Sequence, residues 1–202
     1  MSVCVDASMN YQIKNTYVKV HAGCRGNHAP LDAVLNLLEE HPIQISDIEK
    51  IEIEVDTITA ANEIHNPRNR NDAQFNIPFS VAFALQKGNA LLFNFSDENV
   101  NNPEIQSLMN RVKVITNPEL NKLLPNKRGA VGRLVLRDGS IYSTFIDMPK
   151  GEPENPLSFE QIAEKFCLLT EKELGSRAKY VVEIVQDLNR EQTIHRLISA
   201  LN

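Results

Sequence analysis

The chain has no tryptophan, only three cysteines, and no apolar run approaching the ~18 residues that a membrane-crossing helix requires. Cys4, Cys24 and Cys167 form an odd, sparse set without a Cys-x-x-Cys pair, which excludes a disulfide framework and a four-thiolate zinc site and makes a reducing compartment the expectation. A basic excess is also missing. Lys plus Arg number 21 against 26 Asp plus Glu, so the net charge is -5 and the pI about 5.6, which excludes nucleic-acid binding through a global basic face but leaves local cationic sites open. The opening Met-Ser-Val-Cys-Val-Asp lacks a basic segment followed by an apolar stretch. A cytoplasmic location without a membrane partner is therefore expected. What is present, 42% apolar and 23% charged residues over 202 positions, is the composition of a globular chain long enough to bury a core.

Tyr11 to Val20 reads as extended, with Tyr17, Val18 and Val20 supplying strand-forming side chains, and the glycine-punctuated segment His21 to His28 reads as a loop. Leu31, Val34, Leu35 and Leu38 then recur at helical spacing, predicting an amphipathic helix with Asn27 as its N-cap and a stop before His41-Pro42. Ile48 to Val55 alternates apolar and charged residues as a half-buried strand does. A polar stretch through His65, Pro67, Arg68 and Arg70 leads to a second helix, Phe75 to Gln86, ended by Lys87-Gly88, in which Phe75, Phe79 and Phe83 read as one buried face. A short helix over Pro103 to Asn110 runs into a strand at Val112 to Ile115, and Val131 to Met148 forms a hairpin about Arg137-Asp-Gly-Ser140. After the turn-rich Gly151 to Pro156, Ser158 with Gln161 predicts a capping box, Ile162, Phe166 and Leu169 an apolar stripe, and Ala178 to Leu201 a further helical run. The expected fold class is α+β: a small mixed sheet with helices packed on it, followed by C-terminal helices. The expected division is an N-terminal lead over 1-10, an α+β domain over 11-150 and a helical segment over 151-202.

The densest polar cluster is Lys19-Val-His21-Ala-Gly-Cys24-Arg25-Gly-Asn-His28, ending where the first helix begins. Unpaired amides and the dipole of a helix start favour an anion there, Lys19 and Arg25 add positive charge, and Arg25 could grip a carboxylate through two parallel hydrogen bonds. Arg68, Arg70, Lys127 and Arg128 are candidates for a second clamp. The same cluster supports other readings. Lys19 and Arg25 could be solvated cations on a turn. His21, Cys24, His28 and Asp32 have the donor types of a zinc site, which the neighbouring Arg25 opposes. Cys24 is a candidate nucleophile if the helix start and nearby cations activate it, or a small packing residue. His41 and His65 read as surface histidines and His195 as structural, while Cys4 and Cys167 have no partner by spacing.

Three ordered motifs carry a resemblance. Lys19-x-x-x-x-Cys24-Arg25-x-x-His28-x-x-x-Asp32-Ala33, then Asp72-Ala-Gln-Phe75-x-x-Pro78-Phe79-x-Val81-Ala82-x-Ala84-Leu85-x-x-Gly88, then Pro149-Lys-Gly-x-Pro-x-Asn-Pro156-Leu-Ser with Lys165-Phe166, are similar to the MmgE/PrpD family of 2-methylcitrate dehydratases, cis-aconitate decarboxylases and iminodisuccinate epimerases. The resemblance runs from about Tyr11 to the C-terminus. It implies that 11-150 is the family's smaller lid domain and that the C-terminal helices pack on an all-helical domain that precedes the lid in the family, supplies a catalytic Asp and His, and has no counterpart in this sequence. In the decarboxylase branch the lid supplies a lysine and, five residues later, a histidine. Lys19 matches the lysine, whereas Cys24 takes the histidine's place; Asn76, where serine is common, is a smaller departure.

By this resemblance Lys19, Cys24 and His28 are the catalytic candidates and Lys19, Arg25 and His28 the substrate contacts. The substrate would be a di- or tricarboxylate, with no metal and no cofactor. For proton abstraction beside a carboxylate, Lys19 and Arg25 would stabilise enolate charge while His28 orients substrate or exchanges a proton. The leading expectation is one part of a lyase or isomerase, inactive alone and completed by a separately encoded helical half, and the apolar faces Ile162, Phe166, Leu169 and Val181, Ile184, Val185, Leu188 predict a homodimer or a tight hetero-complex. The alternatives are a catalytically silent remnant or stand-alone binding module, and a metal-binding regulator built on His21, Cys24 and His28.

Overall fold

In the computed structural model, which describes residues 12–62, 66–88, 95–190 and 194–202, the alternation of Ile51, Ile53 and Val55 with Glu52 and Glu54 produces strand β1 (Ile48–Val55), apolar on one face and charged on the other. β1 pairs in parallel with β2 (Val112–Thr116) and antiparallel with β3 (Ala130–Leu136), which pairs antiparallel with β4 (Ile141–Ile146). The sheet order is β2-β1-β3-β4. Among the described residues, the same unit holds the helices α1 (His28–Glu40), α2 (Arg70–Gln74), α3 (Ile77–Lys87), α4 (Asp97–Val100) and α5 (Pro103–Met109). With a four-stranded mixed sheet and helices packed against it, the fold is α+β.

The core lies between the inner sheet face and α1 and α3, where Leu31, Val34 and Leu37 meet Ile51, Ile53, Leu134 and the phenylalanines of α3. Phe79, Phe83 and Phe95 form an aromatic cluster with ring centroids 5.5–6.0 Å apart. α1 comes unusually close to β3. A Cβ on Gly132 would stand 2.7 Å from the Ala33 Cβ, so this crossing requires a residue without a side chain on the strand.

The outer face of the sheet carries an ion-pair row. Arg133 on β3 reaches Glu52 at 2.9 Å and Glu54 at 3.3 Å, and Lys50 reaches Glu52 at 2.7 Å. The Glu52 carboxyl is held below the usual carboxylate range, chiefly by the hydrogen bond from Lys50 and then by that from Arg133. Binding to Glu52 raises Arg133 in turn.

Several expectations change. The segment before residue 20 is no strand: Gln12–Asn15 is a 3-10 turn, and Val18 makes a single main-chain bond, donating its N–H to the Gly151 carbonyl at 2.8 Å, because the sheet offers this segment no ladder. Tyr11 lies outside the described residues. The helix expected from Phe75 is two helices. The Asn69 side chain caps α2 and the Asn76 side chain caps α3 by accepting from the Phe79 N–H at 2.6 Å, so Phe75 falls at the break and is 52% exposed, while Phe79 and Phe83 are fully buried. Asn27 stands at the start of α1 but does not cap it; its amide group donates to the Gln74 carbonyl and the Ser80 hydroxyl.

A second compact unit, Leu157–Asn202, holds α6 (Phe159–Leu174), α7 (Arg177–Gln186) and α8 (His195–Leu201). Ser158 and Gln161 form the capping box. The run expected from Ala178 to Leu201 is interrupted after Gln186 by a 3-10 turn, Leu188–Arg190. Val181 and Ile184 are buried within this unit with Ala200, packed by Phe166, Leu174 and Leu197. Ile162, Leu169, Val185 and Leu188 remain about two-fifths exposed. Ile162 and Val185, with Phe159, Ala163, Phe166, Val181 and Val182, line an apolar groove of about 150 Å³.

Two outcomes follow from the sheet. Gly132→Ala is expected to destabilise the chain by about 1–3 kcal/mol through overpacking against α1. Adding Ala33→Gly should restore part of the loss, and a urea midpoint unchanged by Gly132→Ala would show that α1 does not approach so closely. Because the folded Glu52 titrates below its ordinary 4.5, its contribution is complete above that value and fades as pH falls through the lower folded one. Glu52→Gln should therefore be less stable than the parent near neutrality, and the difference should shrink on acidification. Denaturation midpoints across pH check this; a difference constant down the acid limb would contradict it.

Candidate functional site

The polar cluster at the start of α1 is shaped by contacts to other parts of the first unit. At Gly23 (φ 109°) the chain passes so close to α2 that a Cβ would lie 2.7 Å from the Gln74 carbonyl oxygen, and the Cys24 N–H donates to that same oxygen at 2.8 Å. The chain then makes a 3-10 turn, Arg25–Asn27, and enters α1.

Two buried side chains set the interior of the cluster. His21 Nε2 and Asp32 Oδ1 share a hydrogen bond of 2.8 Å, with His21 6% and Asp32 3% exposed. Asp32 Oδ2 accepts from the Lys150 N–H at 2.6 Å. His28, 2% exposed, meets the His21 ring edge-on with centroids 5.4 Å apart. Two imidazoles and a carboxylate thus occupy one buried patch at the base of the loop.

The cations lie on its outer side. Arg25 donates through Nε to Glu152 Oε1 at 2.6 Å, and its guanidinium carbon lies 5.1 Å from the centre of the Tyr17 ring. The Arg25 side chain is 26% exposed and that of Glu152 only 6%. Among the described residues, no hydrogen bond engages the two Nη atoms of Arg25. Lys19, which is exposed, donates from Nζ to the Gly23 carbonyl at 2.7 Å. Cys24 is half-buried and forms no disulfide.

Two sequence-derived expectations change and one alternative falls. Part of the expected amide cradle is consumed, because the N–H groups of Cys24, Asn27 and His28 already donate to Gln74, Cys24 and Arg25 carbonyls. The second clamp does not assemble: Lys127 is paired with Asp147 at 2.6 Å, Arg128 donates to the Thr59 hydroxyl at 3.3 Å, and Arg68 and Arg70 are exposed. The donor set His21, Cys24, His28, Asp32 does not form a metal group, since among the described residues no three His, Cys, Asp or Glu side chains converge in that way. His41 is partly buried against Tyr142, with ring centroids 4.5 Å apart, and His195 is exposed. His65 and Cys4 lie outside the described residues.

Sequence reasoning missed Glu152, the partner of Arg25 from 127 positions away, and the pairing of His21 with Asp32. Nothing local signalled the first. The second was within reach, because His21 and Asp32 stand together among the candidate donors of the same polar cluster.

Residues 21–190 match the model of the MmgE/PrpD C-terminal domain. The chain belongs to the MmgE/PrpD family. Cys24, Arg25, His28, Asp32 and Glu152 lie inside the matched region of this family member, and Lys19 lies two positions before it. No curated protein matches the chain. No described helix of this MmgE/PrpD protein is long and apolar enough to cross a membrane.

Replacing Asp32 by alanine would strip His21 and the Lys150 N–H of a shared buried acceptor. A loss of about 3 kcal/mol is expected, with Asp32→Asn losing less because it keeps an acceptor. A denaturation midpoint for Asp32→Ala equal to the parent's would show that the pair does not hold the loop.

Proposed function

We propose that this chain supplies the carboxylate-binding side of an MmgE/PrpD-type lyase or isomerase acting on a di- or tricarboxylate. The observation that carries the reading is the posture of Arg25. Its Nε edge is fixed by Glu152 and its plane by Tyr17, which leaves the Nη pair to donate to the two oxygens of a carboxylate. Holding the guanidinium in advance lowers the entropy lost on binding. Glu152 offsets part of the positive charge, so the site favours a ligand with more than one carboxylate, the second of which Lys19 would receive.

In this reading the buried residues handle protons. Asp32 orients His21 as the carboxylate of a catalytic dyad orients its imidazole, and His28 beside it is the group proposed to exchange a proton with carbon next to the bound carboxylate. Arg25 and Lys19 stabilise the enolate charge that develops. Cys24 is retained as a catalytic candidate because of its position five residues after Lys19, where the decarboxylase branch has a histidine. Turnover would require the family's all-helical domain. That cysteine also favours a second reading, a binding module with the lid fold that retains the ligand site without chemistry.

Calorimetric titration of the full chain with a panel of di- and tricarboxylates, and matched monocarboxylates as controls, tests the proposal. At least one polycarboxylate should bind, with affinity falling about tenfold or more in Arg25→Lys, which loses the paired donors, and in Lys19→Ala. Failure of every polycarboxylate to bind, or unaltered affinity in both variants, would overturn it. Turnover of a bound polycarboxylate would favour the enzyme over the module.

A further inference from the structure

The two edges of the sheet are guarded unequally. β2 is short and presents Lys113, a charged side chain of the kind that discourages pairing with another strand. β4, Ile141-Tyr-Ser-Thr-Phe-Ile146, has no charge, proline or glycine, and every residue in it favours or tolerates a strand. Its register with β3 is unbroken; the sheet's irregularity lies between Ile48 and Lys50. Ile141 and Phe145, on the outer face, are 61% and 52% exposed.

Hydrogen-bond parity fixes which groups of β4 remain available. The Leu136 N–H donates to the Ser140 carbonyl at 2.9 Å where the hairpin closes. Bonded pairs in an antiparallel ladder alternate, so Tyr142, Thr144 and Ile146 direct their main-chain groups toward β3. Ile141, Ser143 and Phe145 direct theirs to the open edge. A two-fold axis through Ser143 brings these open groups together: Ser143 opposes its own copy, and each Ile141 opposes the other chain's Phe145. Each opposed pair then exchanges two main-chain bonds at a Cα separation of about 5.5 Å, and aromatic and β-branched side chains meet across the junction.

We infer that β4 pairs antiparallel with β4 of a second copy about Ser143, joining the two sheets into one. No like charges face each other along the shared strand. Asp147, which this register sets opposite Gly139, is already paired with Lys127 at 2.6 Å, and Asp138 accepts a hydrogen bond from the Ser140 N–H at 2.8 Å within its own turn. The contact closes as a dimer, because pairing consumes β4 on both chains and leaves only the Lys113-bearing edges. A single strand edge with two Ile-Phe contacts is smaller than the standard interface of about 1,600 Å², so the dimer dissociates in the micromolar range.

Sedimentation velocity of the full chain over a concentration series, with circular dichroism as the folding control, tests this. The parent should pass from monomer to dimer. Ser143→Lys and Ser143→Glu, each setting like charges against each other on the axis, should weaken association about fivefold or more while leaving the spectrum unchanged. Mixing the two variants should restore a dimer containing one of each, which a residue remote from its own copy would not do. A parent that stays monomeric at every concentration, association unaffected by either charge, or a mixture no stronger than its components would each overturn the inference.

Discussion

Asp32 accepts from opposite directions: one oxygen bonds His21, in the loop before α1, and the other bonds the main chain at Lys150, in the segment after β4. Nearly the whole first unit lies between those partners in sequence, yet a single buried carboxylate joins them. A buried carboxylate without partners would be strongly unfavourable, so once α1 is packed, both neighbours are held to it. Arg25 and Glu152 repeat the connection a few residues further out in each segment. The loop and the segment 149–156 therefore act as one layer, and Lys19, Cys24, Arg25 and His28 take their places from it.

That layer depends in turn on the depth of α1. Ala33 sits against Gly132 without space for another carbon, and Asp32, one position earlier, is set at the height where it meets Lys150. A larger residue on either side of that crossing would lift α1 and pull the carboxylate from both partners. The small side chains in the middle of the sheet and the polar contacts at the helix start are thus parts of one arrangement. The outer sheet face has no such requirement. It accommodates the Lys50–Glu52–Arg133–Glu54 row, whose partly exposed charges remain hydrated and contribute modestly.

The sheet was legible from sequence wherever a period of two was enforced by a one-sided core: β1 and the β3–β4 hairpin stand where alternation and Asp-Gly put them. The capping box of α6 was legible for a similar reason, since a cap and its reciprocal partner lie three residues apart. Legibility failed where two local signals competed. Phe75, Phe79 and Phe83 share a helical spacing, but Asn76 captures the Phe79 N–H and starts a new helix, leaving Phe75 outside. Asn27 has a capping residue's chemistry, but tertiary acceptors at Gln74 and Ser80 outcompete its own helix. In the candidate site, residue types picked out the loop where the buried imidazoles, the carboxylate and the cations gather. Charge partners more than a hundred positions away, and amides already bonded within the turn, leave no trace in local spacing.

The same long-range pairing determines how the site would discriminate between ligands. An unpaired arginine at a loop binds anions of many kinds, including phosphate and single carboxylates. Arg25 is restrained: Glu152, almost fully buried, cannot follow a ligand outward, so its negative charge stays beside any anion that docks. A monoanion gains one ion pair and meets one repulsion. A polycarboxylate can set a second group on Lys19, whose ammonium is tethered to the Gly23 carbonyl of the same loop. In the proposed function Glu152 would therefore disfavour the smaller anions more than the larger ones, and specificity for several carboxylates would arise from a residue that never touches the ligand.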